Sequence, residues 1–346
     1  MRVLIVRIGA MGDVLHAMPA VAALRMAHPD WFIGWAVEPR WSDLLQIAGD
    51  HEDLSQGVGF AARALVDRWY RVAAGEWRKR PLARATLSDI FALRKVLRGE
   101  RFDICVDLQG AIKSAVVGRM AKAATFAGPA EPRERVARWL YGNKVGVTAT
   151  HVVEQACELL GAAVNEPLRP AKVTLPMDEK DELWADGVVG RERFCLISPG
   201  AGWGAKAWPA ERLGRVAAEL GRTGVRTVVN ASVHGSREAD EVVAGSDGFA
   251  RAVPCSVGQL IALVRRAAVV IAGDTGPLHV AAALERPVVG IYGPTDPARN
   301  GPYGTRQRVL RDASSLTSHK RKDETEAGML QISVDEVVQA ALEMLA

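Results

Sequence analysis

Seven runs of apolar, largely β-branched residues punctuate the chain: MRVLIV, WFIGWAVE, FDICVDLQG, RFCLISPG, VRTVVNAS, AVVIAGDTG and PVVGIYGPT. Each leads through a turn into an amphipathic segment. Continuous apolar strands alternating with helices indicate parallel sheets covered on both faces. The pattern occurs twice, before and after the polar, proline-containing stretch NEPLRPAKVTLPMDEKDE, which reads as a linker. The expected fold class is therefore α/β, with two doubly wound, Rossmann-like domains facing across a cleft. The length of 346 residues agrees, at about 150 residues per domain. The expected divisions are a first domain over 1–170, a second over 171–332 and a closing helix over 333–346. Ser333 caps that helix, with Glu336 three residues on.

Composition excludes several classes. No uninterrupted apolar run reaches the roughly 18 residues that a membrane span needs. Arg7 and Asp13 interrupt the N-terminal apolar stretch, which argues against a secretory signal and for a cytoplasmic place. The four cysteines, Cys105, Cys157, Cys195 and Cys255, lack C-x-x-C spacing and histidine neighbours, so buried free thiols are expected. A net charge of +4 suits an anionic ligand or membrane surface without requiring nucleic acid.

In doubly wound sheets ligands bind beyond the carboxyl ends of the strands, so chemistry is sought in the loops that follow them. In RIGAMGDVLHAMPA the chain turns on Gly9 and Gly12 and places Asp13 at the start of a helix. A pyrophosphate-binding turn would avoid that charge, and GAMGDV is not G-x-G-x-x-G, although Glu38 ends the second strand as a ribose-binding acid would. In the second half, Gly273, Asp274, Thr275 and Gly276 stand between a strand and a helix opened by Pro277. Free amides there would favour a phosphate, unless Asp274 or Thr275 simply caps the helix. YGPTDPARNGPYG forms a second glycine-proline loop. SPGAGWGAKAWPAERL forms a third, with Lys206 placed to meet a diphosphate or to stay solvated. Glu238, after another strand, could accept from a ribose or remain a solvated helix-start acid. No D-x-D pair is present to hold a divalent cation, so metal-independent chemistry is expected, with Lys206 and helix amides supplying the charge.

The first half carries a basic, aromatic surface. Arg78, Lys79, Arg80 and Arg84 gather beside Trp77, and Arg133, Arg135 and Arg138 follow in GPAEPRERVARW. Such clusters grip carboxylates and phosphates, or form solvated helix faces. Interleaved Trp69, Tyr70, Trp77 and Trp139 permit contact with an interfacial, membrane-held acceptor or belong to the core.

Together these stretches resemble the ADP-heptose:lipopolysaccharide heptosyltransferase family, glycosyltransferase family 9, and within it the members that add the first heptose to the Kdo region of lipid A. MRVLIVRIGAMGDVLHAMPA, DLQGAIKSA, AKAWP, DTGPLHVAAAL and YGPTDP match the family's motifs in order along nearly the whole chain, and WRK upstream of DLQG favours the first-heptose members. The resemblance implies a GT-B fold, an acceptor site in the first domain, an ADP-heptose site in the second, and inversion at the anomeric carbon without metal or cofactor. Asp13 then matches the general base and Lys206 the residue at the donor phosphates. Asp274, Thr275, Gly276 and His279 match the donor-binding turn, joined by Gly202 and Glu238. Arg78, Lys79, Arg133, Gln109 and Lys113 match acceptor-binding positions. The implied partners are the nucleotide sugar, a lipid-linked Kdo acceptor and the anionic cytoplasmic face of the inner membrane, with no nucleic acid. Two departures stand out: SSLTSHKRKDETEAG replaces a cysteine-containing stretch, and Arg7 stands where lysine is common. A later heptosyltransferase, a nucleotide-sugar epimerase and a non-catalytic binding protein are the alternatives.

Overall fold

The computed structural model describes residues 1–45, 65–318, 320 and 322–346. These form two compact units, Met1–Pro176 and Met177–Ala346.

The first unit contains β1 (Arg2–Val6), α1 (Met11–Ala27), β2 (Phe32–Val37), β3 (Arg68–Arg71), α2 (Ala74–Lys79), α3 (Arg84–Gly99), β4 (Ile104–Asp107), α4 (Ile112–Ala121), β5 (Thr125–Pro129), β6 (Asn143–Val145) and α5 (Val152–Val164). Its strands pair in the order β3-β2-β1-β4-β5-β6, all parallel. Central β1 is covered on both faces, which is why Val3, Leu4, Ile5 and Val6 are all apolar and fully buried. Each such side chain contributes about 1.5–3 kcal/mol through burial. The helix after β1 is not the amphipathic segment expected from sequence. Nearly every side chain of α1 from Val14 to Arg25 is buried, because α1 also packs against α5.

The second unit contains α6 (Glu179–Val189), β7 (Phe194–Ser198), α7 (Ala210–Arg222), β8 (Arg226–Ala231), α8 (Arg237–Ala244), β9 (Ala250–Pro254), α9 (Val257–Arg266), β10 (Val269–Gly273), α10 (Gly276–Ala283), β11 (Val288–Tyr292), α11 (Pro297–Asn300), β12 (Gln307–Arg311) and α12 (Val334–Leu345). Its parallel order, β12-β11-β10-β7-β8-β9, repeats the winding of the first sheet. The strand order reverses between β1 and β4 in one sheet and between β7 and β10 in the other. At such switch points the flanking loops splay apart and leave a crevice for ligand.

Five strands carry no continuous apolar run: β3 (RWYR), β5 (TFAGP), β6 (NKV), β9 (ARAVP) and β12 (QRVLR). All but β5 lie at the sheet edges, where one side is wet and charge is tolerated. The units divide after Pro176, because Val173 and Leu175 are buried and the Ala171 amide donates to the Pro19 carbonyl at 3.1 Å. The closing helix α12 belongs to the second unit. Val337, Ala340, Ala341 and Leu345 enter one core with Leu213, Val216, Ile271 and Ile291.

Candidate active site

At the first switch point, the turn after β1 is held from both neighbouring strands. Trp35 Nε1 on β2 donates to the Arg7 carbonyl at 3.1 Å, and the Ile8 amide donates to Gln109 Oε1, beyond β4, at 2.8 Å. Gly9 turns with φ +152°, and a Cβ there would lie 2.7 Å from Trp41 Nε1, so no larger residue fits the bend. Asp13 then sits in the first turn of α1. Its Oδ2 accepts from the Ala10 amide at 3.0 Å and its Oδ1 pairs with Arg7 Nη2 at 2.9 Å. Arg7 also donates through Nε to the Asp13 carbonyl at 3.0 Å and through Nη1 to the Leu108 carbonyl. Arg7 is largely buried, whereas the Asp13 side chain remains 36% exposed. The arrangement presents an oriented carboxylate to solvent, able to accept a proton from a hydroxyl.

Gln109, Lys113 and Arg133 gather at the ends of β4 and β5. Gly110 adopts φ +67° with the Arg133 amide close beside it. The Glu134 amide donates to the Gly110 carbonyl at 3.0 Å, and Glu134 Oε2 accepts from the Ile112 amide at 2.8 Å. Lys113 and Arg133 are exposed. Arg78 and Lys79 end α2, after edge strand β3, on the other side of β1 in the sheet order. The expected acceptor residues therefore form two cationic groups flanking the strand that leads to Asp13.

Beneath the β4 loop lies Asp107, fully buried. Burial pushes its carboxyl above the ordinary value, against hydrogen bonds from the Gln109 and Gly110 amides, Tyr141 Oη and Ser114 Oγ that favour the charged form. Sequence reading passed over this residue. Its one signal was an acid closing the buried run ICVD.

At the second switch point, Lys206 and Asp274 meet. Lys206 ends a 3₁₀ turn, Gly204–Lys206, in the loop after β7, and its Nζ lies 2.5 Å from Asp274 Oδ2. His279 Nε2, on α10, lies 3.1 Å from Asp274 Oδ1. Burial by itself would raise the Asp274 carboxyl. The hydrogen bond and charge of His279, with those of Lys206, outweigh it and hold that carboxyl well below the usual range. Lys206 Nζ also stands 5.1 Å from the centre of the Trp203 ring.

Neither Asp274 nor Thr275 caps α10. Asp274 turns to Lys206 and His279, and Thr275 Oγ1 donates back to the Gly273 carbonyl at 3.2 Å. The first amides of α10, beginning at Gly276, thus have no side-chain cap. Amides of this kind, beside a lysine, suit an anionic phosphate. Gly202 lies exposed in the β7 loop, where a Cβ would meet nothing within 4 Å. Glu238 is exposed in the first turn of α8, after β8, which neighbours β7. All four cysteines are free and buried. Among the described residues no group of three or more His, Cys, Asp or Glu could hold a metal ion, and no helix is long and apolar enough to cross a membrane.

Two Rossmann-like α/β units, each with chemistry-bearing residues at its switch point, give the chain the GT-B build, and the family match adds the class, a glycosyltransferase. The chain belongs to glycosyltransferase family 9 (heptosyltransferase), whose family model matches residues 90–330. It is similar to heptosyltransferase 1 proteins. It is 29% identical over 325 residues to lipopolysaccharide heptosyltransferase 1 of Escherichia coli strain K12, covering 90% of this chain and 93% of that one. Its fold is similar to E. coli heptosyltransferase WaaC solved with ADP, with TM-score 0.78, 26% identity and coverage of 99% of this chain and 100% of that chain. The same enzyme solved with ADP-2-deoxy-2-fluoro heptose gives TM-score 0.75 at 26% identity, with 99% of each chain covered.

Proposed function

We propose that this enzyme transfers heptose from ADP-L-glycero-D-manno-heptose to the Kdo region of lipid A in lipopolysaccharide inner-core synthesis, with inversion and without a metal ion. The observation that carries the reading is the Lys206–Asp274–His279 cluster beside the uncapped start of α10, in a chain similar to an enzyme solved with ADP and with an ADP-heptose analogue.

In this reading the second unit binds the donor. The amides of α10 and the Lys206 ammonium meet the diphosphate, and Asp274 and His279 hold Lys206 in place. Gly202, in the β7 loop, and Glu238, in the first turn of α8 after the neighbouring strand β8, lie on the nucleotide side. The first unit binds the acceptor through Arg78, Lys79, Gln109, Lys113 and Arg133. The acceptor oxygen attacks the anomeric carbon from the face opposite the leaving group. The bond from that carbon to the ADP oxygen breaks with its electron pair passing to ADP, and the hydroxyl proton passes to Asp13. A fixed cation at the diphosphate stabilises the charge that develops there, the part a divalent ion plays in other transferases.

The acceptor is held in a membrane, and a surface suited to peripheral contact lies on the same unit. Residues 78–139 hold fourteen lysines and arginines against six carboxylates. On α3, and on the 3₁₀ turn Arg135–Leu140 that packs with α4, Leu87, Phe91, Val136 and Trp139 are exposed among those cations. Apolar and aromatic tips set among cations match an anionic bilayer surface. The reading places the enzyme on the cytoplasmic face of the inner membrane.

The test is mass spectrometry of Kdo-capped lipid A incubated with ADP-heptose and the purified enzyme in the presence of a chelator. A mass gain of one heptose is expected, lost in Asp13→Ala and Lys206→Ala. Gain only on an acceptor that already carries heptose would reassign the enzyme to a later step. Donor turnover without acceptor would point to an epimerase.

A further inference from the structure

Residues 312–332, between β12 and α12, include the stretch that departs from the family pattern. Among the described residues of this stretch, the backbone from Lys322 to Glu326 lies directly on the turn that carries Lys206. The Ala205 amide donates to the Lys322 carbonyl at 3.0 Å, and the Glu326 amide donates to the Ala205 carbonyl at 3.3 Å. Thr325 Oγ1 donates to the Ala207 carbonyl at 3.0 Å, and Trp208 Nε1 donates to the Met329 carbonyl at 3.1 Å. Contact is so close at Gly204 that a Cβ there would fall 1.7 Å from the Asp323 carbonyl oxygen.

The other end of this strap is tied to the loop after β11. The Ser318 amide donates to the Pro294 carbonyl at 2.9 Å, and Arg311 Nε donates to the Gly293 carbonyl at 3.1 Å. Within the strap, Glu326 Oε2 accepts from Ser315 Oγ at 3.0 Å and from the Met329 amide at 3.1 Å, which closes it on itself. Strands β7 and β11 flank β10 on its two sides. The strap therefore joins the two loops that border the Asp274 turn, and it grips the 3₁₀ turn of Lys206 through two main-chain bonds at Ala205, before the lysine, and through the Thr325 hydroxyl at the Ala207 carbonyl, after it.

We propose that this strap is a positioning element for Lys206, with Thr325 and Gly204 as its positioning residues. The inference rests on the donor site described above and extends it. A lysine on a glycine-rich loop would lose much freedom on meeting a diphosphate, and that loss weakens binding. Anchoring Ala205 and Ala207 fixes the backbone on both sides of the lysine beforehand, and the pair with Asp274 orients its ammonium, so less freedom is left to lose when the nucleotide arrives.

The experiment measures ADP affinity by calorimetry on the full chain, with Thr325→Val, which keeps the side chain's volume and removes its donor. Loss of that one bond is expected to raise the Kd for ADP by about three- to tenfold. Thr325→Ser should restore it, and Gly204→Ala should weaken binding further. The deciding measurement repeats Thr325→Val in a Lys206→Ala background. If the strap acts through Lys206, the substitution costs no further ADP affinity there. An equal loss in both backgrounds, or no loss in either, overturns the proposal, as does a lowered melting temperature with unchanged ADP affinity. Coupling seen with UDP or GDP in place of ADP would sink the adenine-nucleotide donor and leave the strap's role standing. No binding of any nucleoside diphosphate would overturn both.

Discussion

Lys206 and Asp274 stand 68 residues apart in sequence and 2.5 Å apart in space, joining the loops after β7 and β10 where the order of the second sheet reverses. The pair is 18% and 10% exposed at its two side chains, and His279 completes the carboxylate's partners. Asp274 thereby places a cation at the helix start and is kept from capping that helix itself.

Lys206→Ala should lower kcat/KM for donor by about 10²–10³-fold, the usual effect of removing one preorganised group at developing charge. Steady-state kinetics with varied ADP-heptose checks this. An unchanged kcat/KM would remove Lys206 from the donor site.

Asp13→Asn should cost about 10²–10⁴-fold in kcat, the range for loss of a general base, with little change in donor KM. Arg7→Lys keeps a cation beside Asp13 but cannot reach Asp13 Oδ1, the Asp13 carbonyl and the Leu108 carbonyl together. It should lower kcat by a smaller factor. If Asp13→Asn retains full kcat, the carboxylate is only a helix cap.

Gly9→Ala should destabilise the first unit by about 1–3 kcal/mol, since alanine must adopt φ +152° and meet Trp41. Trp41→Ala in the same chain relieves the contact but not the dihedral, so only part of the melting temperature should return. Thermal denaturation of the single and double variants measures both terms.

Two buried acids should give opposite pH dependences. Asp274 has a lowered folded pKa, so its contribution to stability is complete above the unfolded value near 4 and is lost as pH falls below that. Asp107 has a raised folded pKa, so its contribution is greatest below the unfolded value and declines as pH rises through the folded one. Urea denaturation of the wild type, Asp274→Asn and Asp107→Asn from pH 3 to 8 should show these slopes vanish separately. Parallel curves for all three would contradict the burial and pairing described.

Phe91→Ser with Trp139→Ser should reduce co-flotation with vesicles containing phosphatidylglycerol and leave binding to ADP unchanged. Wild-type binding should also weaken as salt rises, because the cations of residues 78–139 act through a screened field. Equal binding to neutral vesicles would argue against an electrostatic contact.

The alternation of apolar runs with turns was enough to reveal an α/β chain of two doubly wound halves, and post-strand loops pointed to Asp13, Lys206 and Asp274. These signals are local. A buried parallel strand must be apolar throughout, and a sharp turn at its end must use small residues. Edge strands such as RWYR and QRVLR escaped because a half-exposed strand carries no such demand, and α1 read as amphipathic because its second packing partner, α5, lies far along the chain.

Partnership was decided only in three dimensions. Nothing in RIGAMGD says that Arg7 turns back onto Asp13 rather than into solvent, and nothing in DTGPLH says that Asp274 leaves its helix uncapped to hold a lysine. Asp107 and the strap over Gly204 were equally hidden. A sequence determines which groups stand at the ends of strands; which of them meet depends on strand order and burial, because a carboxylate withdrawn from water must take whatever donor the neighbouring loop provides.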